Sequence, residues 1–329
     1  MKNADVKLKD ARQNKDLSVF DLYSIDQLTL EDIDLILGIA RVFREAKTEK
    51  LDLNKGRTMI NAFFEPSTRT MSSFDLSGKH LGMDTTSVSS ASSVKKGESF
   101  LDTAETLDSY NPAIIVVRAK QSGVPEMLAR HTHAAIINAG DGWHEHPTQG
   151  LLDALTMLDY FGTHNLQGKT ITIVGDVLHS RVFGSLVRIC KKLDAEVRIA
   201  APETLLSPHV ENFGVTTYFN VEEALHGADV VYALRVQEER GAKGFIPTLR
   251  EYSKLFGISA KRLNMANDNA ILMHAGPVRR EVDVHSALVT LDNRSHILQQ
   301  VENGMAVRKA VLWLLGNRMD GQEKEMSRL

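Results

Sequence analysis

Short apolar runs of strand length recur along this chain, and each is followed by a segment whose apolar residues keep helical spacing. In the first half the runs are Thr58–Phe64, Ala113–Arg118 and Ala134–Asn138, and a further short strand is expected near Thr85–Val88. Helical patterns follow at Phe74–Leu81, Phe100–Tyr110, Pro125–His131 and His146–Phe161. Gly162–Gly168 interrupts the rhythm, which then restarts with strands at Thr170–Val174, Glu196–Ala200, Asp229–Leu234 and Ile271–Met273. Helical spacing returns at Arg181–Leu193, Val221–Leu225 and Val301–Leu315. Strands joined through helices pair in parallel, because an antiparallel hairpin needs only a short turn. The pattern therefore predicts an α/β protein of two doubly wound parallel-sheet domains. The length of 329 residues agrees, since a single core stops growing at roughly 250–300 residues. Near the start, Thr29-Leu30-Glu31-Asp32 reads as a capping box that opens a helix on Ile33, Ile36, Leu37, Ala40 and Phe43. Residues 1–18 are polar and lack such a pattern, so they are expected to be frayed or lightly docked.

In such folds ligands gather beyond the carboxyl ends of the strands. Phe63-Phe64-Glu65-Pro66-Ser67-Thr68-Arg69-Thr70 occupies one of these ends. A helix beginning there presents unpaired N–H groups and the positive end of its dipole. Three hydroxyls and a guanidinium at the same point suit an anion, most naturally phosphate. The simpler alternative is an ordinary N-cap, because Ser and Thr are preferred capping residues. Polar groups recur at other strand ends: Arg118, His146 with Gln149, Asp176 to Arg181, and Arg235 with Gln237. A single surface arginine is usually a solvated charge, but recurrence at successive strand ends argues for a binding role. His146 and Gln149 share one face at the start of a helix. The dipole there favours a neutral imidazole able to donate to a carbonyl oxygen.

Several function classes are disfavoured. The net charge of −3 gives no general attraction to nucleic acid or to an anionic membrane. Cys190, the one cysteine, excludes an internal disulfide and a multi-cysteine zinc site, and its apolar helical setting fits a buried structural thiol. His144-Glu145-His146 does not have the spacing of a known metal motif, so no metal is expected. Gly175-Asp176-Val177 follows a strand but lacks the remaining glycines of a dinucleotide fingerprint, so no such cofactor is expected. His274-Ala275-Gly276-Pro277 reads as a tight turn, and Ala139-Gly140-Asp141-Gly142 as another. With no signal-peptide pattern and no apolar run of about 18–20 residues, the chain is expected to be cytoplasmic.

Taken together, these motifs resemble the catalytic chains of the aspartate carbamoyltransferases. The resemblance covers about Leu17 to Leu315 and rests on an ordered set. Its members are Phe-Phe-Glu-Pro-Ser-Thr-Arg-Thr (63–70), Ser-Val-Lys-Lys-Gly-Glu-Ser (93–99), Ile-Val-Val-Arg (115–118) and His-Pro-Thr-Gln (146–149). Gly-Asp-Val-Leu-His-Ser-Arg (175–181), Leu-Arg-Val-Gln-Glu-Glu-Arg (234–240) and Gln-Val-Glu-Asn-Gly (300–304) complete it. It implies transfer of a carbamoyl group from carbamoyl phosphate to L-aspartate, the committed step of pyrimidine synthesis, without cofactor or metal. It also implies a carbamoyl phosphate domain at 1–161, completed by a C-terminal helix at 301–318, and an aspartate domain at 162–300.

By the same resemblance Ser67, Thr68, Arg69 and Thr70 cradle the phosphate, and Arg118 bridges phosphate and carbonyl oxygen. His146 polarises that carbonyl, Gln149 holds the carbamoyl NH2, and the backbone at Gly276–Pro277 meets the carbamoyl group. Arg181, Arg235 and Gln237 bind the carboxylates of aspartate. Lys96 and Ser92, on a mobile loop, reach the site of a neighbouring chain in a homotrimer. The chemistry fits: attack of an amine on a carbonyl creates an oxyanion while phosphate departs, and fixed donors stabilise both. Two anionic substrates held side by side require Arg and Lys from several segments. No side chain of the set is a strong base, and on this hypothesis phosphate accepts the amine proton; a pH–rate profile governed by a protein base would contradict it.

An ornithine enzyme is the nearest rival, but Arg235-Val236-Gln237 suits a dicarboxylate better than a cationic side chain. His-Pro-Thr-Gln points the same way, where ornithine enzymes carry His-Pro-Cys-Gln. A catalytically silent scaffold chain is a third reading, and one free to lose the ligand set that is complete here. Met71, Ala119 and Ala275 depart from the family pattern, which usually has arginine, histidine and proline there. A separate regulatory chain or dihydroorotase is a possible partner that the sequence does not specify.

Overall fold

The computed structural model describes residues 2–46, 50–89, 99–238, 244–290 and 292–318. Among them the strands are β1 (Thr58–Phe63), β2 (Asp84–Ser89), β3 (Ile114–Ala119), β4 (Ala135–Asp141), β5 (Thr170–Val174), β6 (Glu196–Ala200), β7 (Thr216–Tyr218), β8 (Val230–Ala233) and β9 (Ile271–Met273). The helices are α1 (Lys2–Arg12), α2 (Leu30–Glu45), α3 (Thr68–His80), α4 (Phe100–Asp108), α5 (Val124–Ala129), α6 (Pro147–Phe161), α7 (Arg181–Lys192), α8 (Val221–Leu225), α9 (Leu249–Phe256), α10 (Ala260–Leu263), α11 (Ser286–Thr290) and α12 (Ile297–Gly316). Two compact units result: one holds the described residues up to Leu152 and from Glu302 onward, the other runs from Asp153 to Val301.

The first unit carries a sheet in the order β2-β1-β3-β4, with every pairing parallel. Ile60, Ala62, Ile115, Val117 and Ile136 pack against Phe64, Ala104, Leu107 and Leu128 to form a core on one face. The strand order reverses between β1 and β3, and there Phe63 stands in register with Arg118. From β3 to β4 the register slips, with Val117 opposite Asn138 but Ala119 opposite Asp141. Arg118 thus faces two residues, Ala139 and Gly140, in the manner of a β-bulge, a device common beside active sites. The stretch 139–142, expected as a turn, instead continues strand β4 to Asp141. Pairing with β3 overrides the turn-like composition, and the chain turns only at Gly142 (φ +45°), where a Cβ would lie 2.2 Å from Ser122 Oγ.

The predicted capping box is present: Asp32 N donates to Thr29 Oγ1 at 3.1 Å, and Thr29 N to Asp32 Oδ2 at 2.9 Å. Residues 2–12, expected to be loose, form α1 and bury Leu8 and Arg12. Few apolar residues mark this helix, because its anchor is a charge. Arg12 pairs with Asp16, donates to the carbonyl of Asn317 at 2.6 Å, and lies 5.2 Å from the ring of Trp313. From Glu302 on, α12 packs within the first unit. Arg44 Nη1 donates to Asn303 Oδ1 (2.9 Å), Arg308 Nη1 to Ser73 Oγ (2.7 Å) and Asn54 Nδ2 to the carbonyl of Leu312 (3.2 Å).

The second unit has a sheet in the order β7-β6-β5-β8-β9, again wholly parallel. Val174, Val231, Ala233, Leu225, Tyr252 and Phe256 belong to its core. The order reverses between β5 and β8, where Val174 pairs with Ala233. Sequence reading placed β5, β6 and β9 at their observed limits but missed β7 and helices α9 to α11. Those elements are short, and α9 is held by a capping Thr248 whose Oγ1 accepts from Glu251 N at 3.1 Å. Cys190 is buried, and burial together with the charge of Asp153 raises its thiol well above the ordinary range. This is the expected inert structural cysteine.

Candidate active site

In each unit some of the polar residues singled out in the sequence lie where the strand order reverses, Ser67–Thr70 with Arg118 in the first and Asp176–Arg181 with Arg235 in the second, the position at which open α/β sheets bind ligands. In the first unit the register of Phe63 with Arg118 brings the β1–α3 turn beside the end of β3. Phe64 N donates to the carbonyl of Arg118 at 2.8 Å, so the two strand ends are joined just where the turn begins. Ser67 is the N-cap residue of α3, yet its hydroxyl makes no capping hydrogen bond. Thr68 and Arg69, in the first helical turn, are exposed, while Ser67 and Thr70 are half-buried. The ordinary capping explanation for these hydroxyls therefore does not hold at Ser67. What remains is a helix start with its dipole uncompensated by acid, since the first turn of α3 carries no Asp or Glu.

Arg118 is 8% exposed, and its guanidinium is fixed on two sides. Nη1 donates to the carbonyl of Ala139 at 2.9 Å, and Nε stands 3.5 Å from Glu65 Oε2. The bulge that isolates Arg118 in the ladder also supplies that carbonyl. His146 and Gln149 are both buried at the opening of α6, and the carbonyl of His146 accepts Gln149 N at 2.8 Å and Gly150 N at 3.2 Å.

The approach to His146 is held by two carboxylates to which sequence reading gave no role. Glu145 is fully buried; Oε1 accepts from Ser24 Oγ at 2.5 Å and Oε2 from Ile25 N at 3.0 Å. Asp141 accepts from Gly123 N (2.7 Å), Asn138 Nδ2 (2.8 Å) and Glu145 N (3.1 Å), and pairs with His144 Nδ1 at 3.1 Å. Burial by itself would raise the pKa of Asp141, but the bonds from His144, Asn138 and Gly123 outweigh it and hold the carboxyl below its usual range. The available signal was an Asp and a Glu within the five residues before His146.

In the second unit the pairing of Val174 with Ala233 sets the β5–α7 turn against the segment after β8. Gly175 (φ +132°) has room for no side chain, since a Cβ there would lie 2.6 Å from the carbonyl oxygen of Leu234. Asp176, fully buried, ties the two segments together. Oδ1 meets His179 Nδ1 at 2.9 Å and His179 N at 3.2 Å, and Oδ2 accepts from Gln237 N at 3.0 Å. The ring of His179 meets Phe245 edge-on at 5.3 Å. Ser180 caps α7 in the ordinary way, its Oγ accepting from Phe183 N at 3.3 Å, and Arg181 follows at 3% exposure. Arg235 and Gln237 are half-buried. One carboxylate thus orders two segments that carry three of the expected aspartate ligands.

Beyond β9, Gly276 N donates to His274 Nδ1 at 2.7 Å, closing the turn that ends in Pro277. Ser92 and Lys96 lie outside the described residues. Among the described residues, no group of three or more His, Cys, Asp and Glu side chains could hold a metal ion. A separate cavity of about 500 Å³ lies beside the residues leading into β9, lined by Tyr160, Asp268, Asn269, Asp292, Asn293 and Arg294. Its cation is committed, since Arg294 binds Asp292 through Nε (3.1 Å) and Nη2 (2.9 Å).

Comparison with known proteins gives a consistent result. A family model described as "Aspartate/ornithine carbamoyltransferase, carbamoyl-P binding domain" matches residues 21–159, and "Aspartate/ornithine carbamoyltransferase, Asp/Orn binding domain" matches 167–315. The aspartate carbamoyltransferase catalytic subunit of Desulforamulus reducens is 48% identical over 299 residues, covering 90% of this chain and 95% of that protein. The corresponding subunit of Desulfitobacterium hafniense is 46% identical over the same length, with the same coverage. Among solved structures, the Trypanosoma cruzi aspartate transcarbamoylase with carbamoyl phosphate and aspartate has a TM-score of 0.78 at 31% identity, covering 89% of this chain and 94% of that one. Ornithine carbamoyltransferase from Thermus thermophilus has a TM-score of 0.80 at 24% identity, covering 91% and 99%, and so shares the fold.

Proposed function

The chain belongs to the aspartate/ornithine carbamoyltransferase family, and from that premise we propose that it transfers the carbamoyl group of carbamoyl phosphate to L-aspartate. The products are N-carbamoyl-L-aspartate and phosphate, and the step commits the carbon to pyrimidines. The observation that carries the choice of amine is the 44–48% identity, over about nine-tenths of the chain, to relatives named as aspartate carbamoyltransferase catalytic subunits. The pairing of Arg235 with Gln237 supports it, because a guanidinium beside the amine substrate attracts a carboxylate and repels the side chain of ornithine.

In this reading the first unit binds carbamoyl phosphate. Ser67, Thr68, Arg69 and Thr70 receive the phosphate at the uncapped start of α3, where N–H groups and dipole act together. Arg118 spans phosphate and carbonyl oxygen, His146 donates to that oxygen as negative charge develops, and Gln149 orients the NH2 group. The backbone of Gly276–Pro277 meets the carbamoyl group. The second unit binds aspartate through Arg181, Arg235 and Gln237. Fixed donors accomplish the transfer, with the departing phosphate taking the proton of the amine.

The chains form a homotrimer in the cytoplasm, with Ser92 and Lys96 entering the site of a neighbour. Two assays test these statements. Turnover with carbamoyl phosphate and aspartate, absent with ornithine and abolished by Arg69→Ala, is the expected outcome; preference for ornithine would sink the choice of amine. Mixing inactive Lys96→Ala and Arg69→Ala chains should restore activity if sites are shared, since a mixed trimer contains one complete site. No recovery from a verified mixed trimer would count against the shared site.

A further inference from the structure

Behind the 274–277 turn lies a continuous buried hydrogen-bonded line to which the roles above give no part. Tyr232, fully buried, donates its hydroxyl to Asp153 Oδ2 at 2.9 Å. Asp153 Oδ1 accepts Gln300 Nε2 at 2.7 Å, and Gln300 Oε1 accepts the backbone N–H of His274 at 2.8 Å. Every member is at most 2% exposed: Tyr232, Asp153, Gln300 and His274. The imidazole continues the line. Its Nδ1 faces Gly276 N at 2.7 Å and its Nε2 faces Asp283 Oδ2 at 3.3 Å. Asp283, also 2% exposed, accepts Arg279 N on the same oxygen at 2.8 Å.

The chemistry of these partners leaves one arrangement of protons. A backbone N–H only donates, so Nδ1 must be bare, and the ring proton sits on Nε2, where a carboxylate receives it. The other tautomer, like the imidazolium, would set an Nδ1–H against the Gly276 N–H and break the contact. Gln300 fixes the backbone of His274 while Asp283 fixes its ring, and the ring in turn fixes the peptide entering Gly276. A turn has reason to need such a brace here. Position 275 carries alanine, which leaves φ free where a proline would restrict it. Gly276 itself sits at φ +67° and brings no side chain to hold its place.

We propose that His274 is a positioning residue for the Gly276–Pro277 backbone, held in its working tautomer by Asp283 and in place by Gln300. The proposal rests on the reading above, in which that backbone meets the carbamoyl group. Full-length His274→Asn, His274→Gln and His274→Ala chains separate this role from mere packing. Asn places its carbonyl oxygen near the position of Nδ1, whereas Gln places its amide near Nε2. His274→Asn is expected to keep kcat/KM for carbamoyl phosphate within about threefold of the parent. His274→Gln and His274→Ala should lose between about tenfold and a hundredfold, because a displaced contact group misaligns the reacting atoms. KM for aspartate should move less. Equal losses in the Asn and Gln chains, or no loss in any, would overturn the proposal. Failure of the parent chain to turn over carbamoyl phosphate would instead refute the carbamoyltransferase reading. Neutron diffraction from crystals of the unaltered chain decides the geometry without any assay and without any variant. A deuteron on Nε2 with Nδ1 bare is expected, and a deuteron on Nδ1 overturns the assignment.

Discussion

The two strand-to-helix turns at the reversal points occupy equivalent places in their sheets and are built in opposite ways. In the β5–α7 turn Asp176, His179 and Ser180 each have an internal task. Asp176 binds His179 and Gln237 N, Ser180 caps the helix, and Arg181 is almost wholly buried. In the β1–α3 turn Ser67 declines the capping role, and Thr68 and Arg69 face outward. On the proposed function, the difference suits the two turns to two different kinds of anion. A phosphate is compact and strongly charged, and a helix start left open can surround it with N–H groups and hydroxyls. A flexible dicarboxylate needs donors at set separations, so its segments are first locked to one another.

The largest test of that contrast is Arg69→Ala. Removing an exposed cation should leave thermal stability nearly unchanged while kcat/KM falls by about 10²–10³. A stability loss comparable to the activity loss would show that the first turn is as internally committed as the second. Asp176→Ala probes the opposite case. Stranding His179 and the Gln237 N–H in a dry interior should cost about 3 kcal/mol, seen as a lowered urea midpoint, with KM for aspartate rising. The two serines give the cleanest pairing. Ser180→Ala should cost about 1 kcal/mol of stability through the lost cap, and Ser67→Ala none, with roughly tenfold weaker use of carbamoyl phosphate instead. Equal melting behaviour in the two variants would erase the distinction.

The smallest effect concerns the far end of α3, where His80 closes the helix that the open turn begins. Burial and the neighbouring charge of Lys309 lower its pKa, and burial lowers that of His296 in the second unit. The unfolded chain titrates near 6.5 and the folded imidazoles lower, so between those values the unfolded state binds more protons. Stability should therefore be present above about pH 6.5 and decline as pH falls through the folded values. Urea midpoints at about pH 7.5 and 5.5 check the sign, and His80→Gln should flatten the slope. A midpoint that rises on acidification would contradict the assignment.

What could be read in advance follows from where information is stored. Strands declare themselves as apolar runs where both faces are buried, as in β5 and β9, or as alternation where one face is wetter, as in β6, and all three were placed to the residue. Residues on motifs, such as Arg118 and His146, were legible as candidates because they are polar groups at or just after the ends of apolar strands. The groups that hold them were not. Glu145, Asp176 and Asp283 act through partners far along the chain or through backbone N–H groups, and no local pattern encodes that. Asp176 and His179 did stand three apart in a turn, a signal compatible with an ion pair but equally with a solvated loop. Composition misled at 139–141, where glycine and aspartate are drawn into β4 by its neighbour. Helix α1 escaped notice because its anchor is Arg12 rather than a row of apolar side chains.

The return of α12 to the first unit has a consequence for birth on the ribosome. The second unit, from Asp153 to Val301, is continuous in the chain and can close once its own residues have emerged. The first unit draws on residues from Glu302 onward, so its sheet is synthesised early and its last wall late. At roughly 5–20 residues per second, some ten seconds or more separate the completion of β4 from the arrival of that helix. Throughout that interval the faces of α2 and α3 that will meet α12 are uncovered. The β1–α3 turn therefore belongs to the part of the molecule that is made first and finished last.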